Sequence, residues 1–480
     1  MATVVPNQAR PRRWVELLLL AFALGLSFFA YAQVGLAMTG KLPAEMNLHA
    51  AGFGALTLAV HLLLRWRAPY ADPVILPMAV VLNGLGLAMI YRLSFSYKEL
   101  GGDFQDIASR QLLWTLIGVV AAVITVLWLR DHRQLRRLTY ISLLLGLVGL
   151  LLPMVPGLGQ TINGSRIWIH LGPLSFQPAE LSKILLTVFF AGYLVGRRET
   201  MALAGPKLLG LRLPRLKDTG PLLLAWVASL AVLIYQRDLG TSLLFFGVFV
   251  VMLYVATDRP SWIVIGLILS LGGVLFAYKS FSHVRARFEI WLDPFSQALY
   301  ERSPGGSYQL VQGLFGLGDG GLFGTGWGRG RPWITPLAFS DFVWTSLGEE
   351  LGLTGLLAIG LCALVLTMRG LRTAIGVRDG FGKLLAAGLS FALAFQFFVV
   401  IGGITRLIPL TGLTLPFLAY GGSSLVANWV IVAILLRISD GARRPAPTTS
   451  EIDLRPVIAA ERERAAAVQD ANATEAVKRP

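Results

Sequence analysis

Cysteine is almost missing from this chain. Cys362 is the only one among 480 residues, and it lies inside an apolar run, so no disulfide can form within the chain. Histidine is scarce too: five residues, scattered, with no paired Cys/His spacing, which argues against a zinc site. Charged residues make up 14% of the chain against 55% hydrophobic. Acids are the scarcer sign, 27 against 42 Lys and Arg. The glycine-rich stretches are not followed by Gly-Lys-Ser/Thr, so a Walker-type phosphate loop is excluded.

What is abundant is apolar length. Mean hydropathy is +0.65, and the apolar residues come in runs of about twenty, the length that crosses a bilayer. The fold class is therefore all-α and polytopic, with no large water-soluble domain. The first run, about 14–38, follows Arg10, Arg12 and Arg13 and is too long for a cleaved signal peptide. Eleven more follow at about 48–64, 73–91, 111–129, 138–155, 174–195, 219–235, 238–256, 260–278, 341–367, 384–405 and 413–436.

Twelve spans put both termini on one side. If that side is the cytoplasm, the inner segments hold 28 Lys and Arg and the outer ones 13, with Lys183 inside a span. That is the asymmetry of the positive-inside rule. It accounts for the net charge of +15 without nucleic acid as a partner. The polar, charged and Ala/Pro-rich residues 441–480 read as a disordered cytoplasmic tail.

Two outer loops stand out. One, 156–173, reads PGLGQTINGSRIWIHLGP and includes a sequon-like Asn163–Gly164–Ser165. The other, 279–340, is the longest connection, with RARFEIWLDPF followed by the glycine-dense SYQLVQGLFGLGDGGLFGTGWGRG. Glycine at that density predicts a flexible backbone or one that approaches a ligand closely.

The stretch 336–352, PLAFSDFVWTSLGEELG, joins this loop to an apolar helix. Ser340 and Asp341 read as a helix start. Glu349 and Glu350 then fall roughly 12 Å into a lipid-embedded helix at 1.5 Å per residue, an expensive place for carboxylates. Other charges sit in the same outer half. Glu180 and Lys183 share a helix face three residues apart and can pair. Arg237 and Asp238 mark an outer junction, and Arg406 lies near an outer helix end. The inner half has no matching acids or bases. A transporter needs a path to both faces, commonly through a midplane site. This map instead suggests an outward cavity that handles a lipid-borne polar headgroup. Each residue also has a plainer reading. Asp341 could be only a cap, Glu180 with Lys183 only a structural ion pair, and Trp168 only a belt tryptophan. Arg237 and Arg406 could contact lipid phosphates, and the glycine run could be a loop without a ligand.

Four motifs occur in order: NGSRIWIHLGPLSFQPAELSK at 163–183, DLGTS at 238–242, SDFVWTSLGEELG from Ser340, and TGLTLPFLAYGGSS at 411–424. Together they resemble the SEDS family, the RodA/FtsW/SpoVE proteins, over nearly all of the chain from the third span onward. The family core has ten spans. The resemblance thus implies a core at 71–440, an N-terminal two-helix addition at 1–70 and a large extracytoplasmic loop between helices 9 and 10. The addition is similar to the actinobacterial RodA type.

The resemblance implies a peptidoglycan glycosyltransferase of the bacterial cytoplasmic membrane. Its substrate would be lipid II, polymerised on the outer face, and its partner a class B penicillin-binding protein. A lipid II flippase and a division-specific polymerase are the alternatives. The family's essential acid falls on Asp341. The neighbouring Glu and His common in the family are absent from TPLAFSDFVW, so they cannot be essential here. The loop motif that ends at Tyr308–Gln309 is altered by an insertion around 300–304. Lys183, Arg237 and Arg406, with Arg166 or a divalent cation (Mg or Mn), are candidates to meet the pyrophosphate. Glu180 would orient Lys183, and Trp168 would pack on sugar or isoprenoid. Asp238 and Gln309 complete the implied substrate site. No cofactor is otherwise implied.

Overall fold

A computed structural model describes residues 11–100, 107–162, 165–171, 174–202, 207–208, 211–212, 216–303 and 305–445. The helices in chain order are α1 (Arg13–Thr39), α2 (Met46–Arg67), α3 (Ile75–Glu99), α4 (Ile107–Trp128), α5 (Gln134–Arg137), α6 (Thr139–Leu151), α7 (Pro178–Ala202) and α8 (Leu216–Tyr235). They continue as α9 (Leu239–Thr257), α10 (Ser261–Ser280), α11 (Ser282–Leu292), α12 (Gln297–Tyr300), α13 (Tyr308–Gly320), α14 (Val343–Gly376), α15 (Gly380–Ile404) and α16 (Gly422–Arg443). Among the described residues, ten helices are long and apolar enough to cross a membrane, and shorter apolar helices lie at Thr139–Met154 and Leu223–Val232. These twelve fall on the twelve expected runs. Helices are what such runs must form, because lipid offers no partners to a bare backbone. α16 continues to Arg443, past the boundary at 440 expected for the tail; 446–480, where that tail would lie, are outside the described residues, as are Asn163 and Gly164.

α16 is buried along almost its whole length, and α3, α7 and α15 pack as a largely buried core around it. α1, α2 and α10 show most of their apolar side chains at the surface, as lipid-facing helices do. The N-terminal pair is tied to the core by charge. Glu16 is fully buried, 2.6 Å from Arg13 and 2.8 Å from His61 Nδ1. Arg13 in turn donates to the carbonyls of Pro69 and Ala71. A buried carboxylate needs such partners, since isolated it would cost several kcal/mol.

Four features differ from the sequence expectation. The loop 156–173 contains strands β1 (Gly159–Ile162) and β2 (Ser165–Leu171), which with β3 (Leu174–Phe176) form an antiparallel sheet. Gln160 faces Trp168 and Ile169 faces Phe176. α7 therefore starts at Pro178, whose missing N–H costs nothing at a first helical position.

The run 413–436 is not helical throughout. Residues 409–421 form an irregular segment wedged into the bundle, and α16 begins only at Gly422. Its carbonyls are met by side chains: Gln396 donates to Thr414 O at 2.9 Å and Gln111 to Ala419 O at 3.2 Å. Non-helical backbone is tolerated at such depth only where protein encloses it.

α14 is broken at Gly352, where φ is +68°. The groups freed by the break are paired with the segment after α13. Thr325 N and Gly326 N donate to the carbonyls of Glu349 and Glu350, and Leu353 N and Thr354 N donate to Gly321 and Leu322. The stretch 353–376 alone runs roughly 36 Å at 1.5 Å per residue, enough to cross a bilayer. Glu349 and Glu350 thus precede the break and are enclosed by protein; they do not lie deep in a lipid-facing helix.

The glycines of the long loop serve contact more than flexibility. α13 lies against the start of α14. A Cβ on Gly313 would come within 2.7 Å of the Phe342 ring, and one on Gly320 within 2.1 Å of Gly348 O. Arg92 of α3 completes the anchor. It bonds Glu350 Oε1 at 2.8 Å and Gly330 O at 2.9 Å.

Candidate active site

The wedge 409–421 is where the four motifs meet. Lys183 Nζ sits 2.8 Å from Glu180 Oε2 and 2.9 Å from Gln396 Oε1, and Gln396 donates onward to Thr414 O. Both charges of the pair are buried. Gln177, just before α7, donates its backbone amide to Ser423 Oγ (3.1 Å) and its side chain to Asp238 Oδ2 (3.2 Å). Asp238 caps α9 through the Thr241 amide (3.0 Å) and hydroxyl (2.7 Å). Burial pushes the Asp238 carboxyl up. The Thr241 bonds offset this, Glu180 adds to it, and Arg287 opposes it.

Asp341 approaches the same wedge at Gly412. The residue capping α14 is Phe342, with no side-chain capping bond, so Asp341 stands just outside the helix and is not its cap. Its neighbours Ala338, Phe339 and Phe342 are buried anchors. The Tyr420 amide of the wedge bonds Phe339 O at 2.7 Å. Gly412 marks the meeting point. A Cβ there would lie 3.8 Å from Arg287 Nη2 and 4.0 Å from Asp341 Oδ2, and φ is +77°. Glycine alone suits that backbone and leaves the space between the two charges open.

Arg287, on α11, is the residue that sequence reasoning passed over as a site residue. It is held by the carbonyls of Leu410 (3.1 Å) and Thr411 (3.0 Å). Burial lowers its pKa, against the pull of Asp238 and Asp341. For Asp341, burial dominates and pushes the carboxyl up to about 6, with Arg287 and the Ser340 hydroxyl pulling down. A half-buried acid of that strength is ionised at neutral pH yet a better base than an ordinary aspartate.

The remaining candidates sit further out. Arg406 donates to the carbonyls of Trp291 (3.1 Å) and Leu292 (3.2 Å), bracing α11. Gln309 donates to Pro336 O at 2.8 Å and so supports the 336–342 stretch. Arg237 is exposed at a left-handed turn with φ +62°. Arg166 reaches Val155 O at 3.2 Å, and Trp168 is half-buried; both stand on β2, outside the wedge. No group of three or more His, Cys, Asp or Glu gathers as a metal site among the described residues.

The Glu180–Lys183 pair gives a direct test. Lys183→Met or Glu180→Gln alone should destabilise the protein by about 3–5 kcal/mol, because each leaves a buried partner uncompensated. The double variant should recover much of that loss. Additive losses in thermal unfolding would show that the two do not act together.

Fold and cluster define a class: a multi-pass helical membrane protein that gathers opposed buried charges around an enclosed break in its helices. The cell cycle protein model that covers FtsW, RodA and SpoVE matches residues 73–444, and the chain belongs to that family. It is 50% identical over 438 residues to the peptidoglycan glycosyltransferase RodA of Mycobacterium tuberculosis (strain H37Rv), covering 91% of this chain and 92% of the relative. It is 34% identical over 374 residues to the probable peptidoglycan glycosyltransferase FtsW of Geobacter metallireducens, covering 77% and 94%. A solved structure described as structural coordination of polymerization and crosslinking by a peptidoglycan synthase complex matches with a TM-score of 0.62 and 26% identity. That match covers 78% of this chain and 98% of the other.

Proposed function

We propose that this chain is a peptidoglycan glycosyltransferase that polymerises lipid II into β-1,4-linked glycan on the outer face of the cytoplasmic membrane, with Asp341 as general base. The observation that carries the proposal is the convergence of Asp341 and Arg287 on the space beside Gly412, where a Cβ would lie 4.0 Å from Asp341 Oδ2 and 3.8 Å from Arg287 Nη2. The higher identity to RodA than to FtsW relatives favours elongation over division.

Lipid II carries an α-linked pyrophosphate and the polymer is β-linked, so the transfer inverts. Asp341 takes the proton of the attacking 4-hydroxyl as the pyrophosphate leaves from the opposite side of the sugar, through oxocarbenium-like charge. Lys183 is held by Glu180, and Arg287 is held by two carbonyls. Both are pre-set cations for negative charge that grows in the transition state, and fixed groups need no reorganisation at that moment. Arg237, Arg406 and Arg166 are further cations for the departing pyrophosphate, and Trp168 is an apolar face for sugar or isoprenoid. A class B penicillin-binding protein is the proposed partner that cross-links the product.

The charge asymmetry of 28 to 13 supports cytoplasmic termini and an outward-facing Asp341. Vesicles test both points together. In a Cys362→Ser background, an impermeant thiol reagent should label a cysteine at exposed Ser303 and not one at exposed Arg378. Lipid II supplied to the Ser303 side should become glycan chains. Transfer of intact lipid II between leaflets without chain growth would favour a flippase and overturn the proposal.

A further inference from the structure

Away from the Asp341 cluster, a cavity of about 620 Å³ lies between α1, α2, α3 and the start of α4. On α3 its lining runs from Gly84 to Lys98, roughly 21 Å along the bundle at 1.5 Å per residue. The walls change character over that length. The deep part is lined by Phe28, Phe53, Leu87 and Ala88. Its floor is closed where α1 and α3 touch: a Cβ on Gly84 would lie 1.9 Å from Ser27 Oγ. At mid-height the rings of Tyr31 and Tyr91 pack with centroids 4.5 Å apart, and Tyr31 Oη lies 2.9 Å from His49 Nδ1. The mouth is polar, with Glu45 beside His49 at 3.3 Å and exposed Lys98 opposite.

A slot that is blind and apolar below and polar above, with Lys98 at its rim, fits an amphiphile standing along the helices. A water-soluble ligand would leave the apolar half unfilled. A partner helix, roughly 10 Å across with its side chains, could not end against the Ser27–Gly84 floor. The outer wall, α2, buries only Phe53, Thr57, Val60, His61 and Leu64, so lipid lies on its far side and a hydrocarbon chain has a short way in. At the mouth Lys98 supplies an ammonium, a donor that suits a phosphate, while His49 is held between Tyr31 Oη and Glu45. The volume is within the range of sites that take a ligand of moderate size.

We infer that this slot binds a phosphate-headed lipid, with the phosphate at Lys98 and one hydrocarbon chain between Phe28, Phe53 and Leu87. The site is independent of the polymerase reading, since no residue of the Asp341 cluster lines it. Two sources share the chemistry, a glycerophospholipid and a polyprenyl phosphate.

The test is lipid retention by the full-length protein. Purified protein is stripped of lipid and offered phosphatidylglycerol, undecaprenyl phosphate, or diacylglycerol as a chain without a phosphate. Bound lipid is counted by native mass spectrometry. One equivalent of a phosphate-headed lipid should be retained, at least tenfold more tightly than diacylglycerol; which of the two wins identifies the source. Ala88→Trp should fill the slot and lower retention about tenfold. Lys98→Glu, at an exposed position that removes no packing, should remove at least fivefold of the preference over diacylglycerol. Equal retention of all three lipids, or an unchanged preference in Lys98→Glu, would overturn the site. So would unchanged retention in folded Ala88→Trp.

Discussion

Asp341→Asn is expected to abolish glycan synthesis and yet give a protein at least as stable as the wild type. The two effects have one cause. Burial pushes the Asp341 carboxyl up to about 6, so above that pH the folded protein holds a carboxylate that would be better solvated in the unfolded chain. The sign follows from linkage. Between the unfolded value near 4 and the folded value near 6, the folded state binds the extra proton, so wild-type stability falls as pH rises through that window. An amide of the same shape escapes the cost. The asparagine variant should therefore gain on the order of 1–2 kcal/mol at neutral pH, a figure already reduced because the group is partly exposed. The gain should shrink towards pH 4. Loss of a general base alone commonly costs 10²–10⁴ in rate, so residual synthesis should be below about 1%. Thermal unfolding at two pH values with a lipid II assay on the same samples checks both effects. Near-normal synthesis would remove Asp341 as the base. A large loss of stability would make it a structural residue.

Arg92→Ala should have the largest effect on stability. Arg92 is almost completely buried and makes four separate contacts. It bonds Glu350 Oε1 at 2.8 Å, Gly330 O at 2.9 Å and Ser96 Oγ at 2.9 Å, and its guanidinium lies 5.0 Å from the centre of the Trp333 ring. Among the described residues, Arg92 and the Gly328 amide (2.9 Å) hold the Glu350 carboxylate. Removing the guanidinium leaves that carboxylate buried and unpaired, at a cost of about 3–5 kcal/mol. It also frees the 321–335 segment that completes the break in α14. The variant should unfold at lower temperature and expose 321–335 to hydrogen exchange, with synthesis falling because the start of α14 follows Asp341. Replacing both residues by leucine should restore much of the stability. Unchanged exchange in this segment would show that the pair does not hold it.

Composition and periodicity were enough to place the helices, because a run of about twenty apolar residues has one outcome in lipid. Glu180, Lys183, Asp238 and Asp341 could also be picked out, since each is an ionisable residue in or beside an apolar stretch. The rest depended on tertiary contacts that hydropathy does not register. The wedge 409–421 is as apolar as a helix, and only side chains from distant elements, such as Gln396 and Gln111, make its open backbone tolerable. The break at Gly352 reads as one more glycine in an apolar helix until the segment after α13 is seen to supply its hydrogen bonds. Glycine density in 313–330 signals flexibility and close packing equally. The contacts to Phe342 and Gly348 decide for packing. Arg287 gave the weakest signal, a cation in a polar stretch of loop; its one hint was the apolar spacing of RARFEIWL around it, which predicts a helix.

The acid limb of the polymerisation rate tests the role of Asp341 most directly. A general base works only when deprotonated, and the folded value of about 6 sets where that ends. With lipid II as substrate, kcat/KM of the purified protein measured from pH 5 to 8 should be level at the upper end and fall tenfold per pH unit below about 6. A rate that holds level down to pH 5 would contradict the assignment, because it would leave the reaction running with Asp341 protonated.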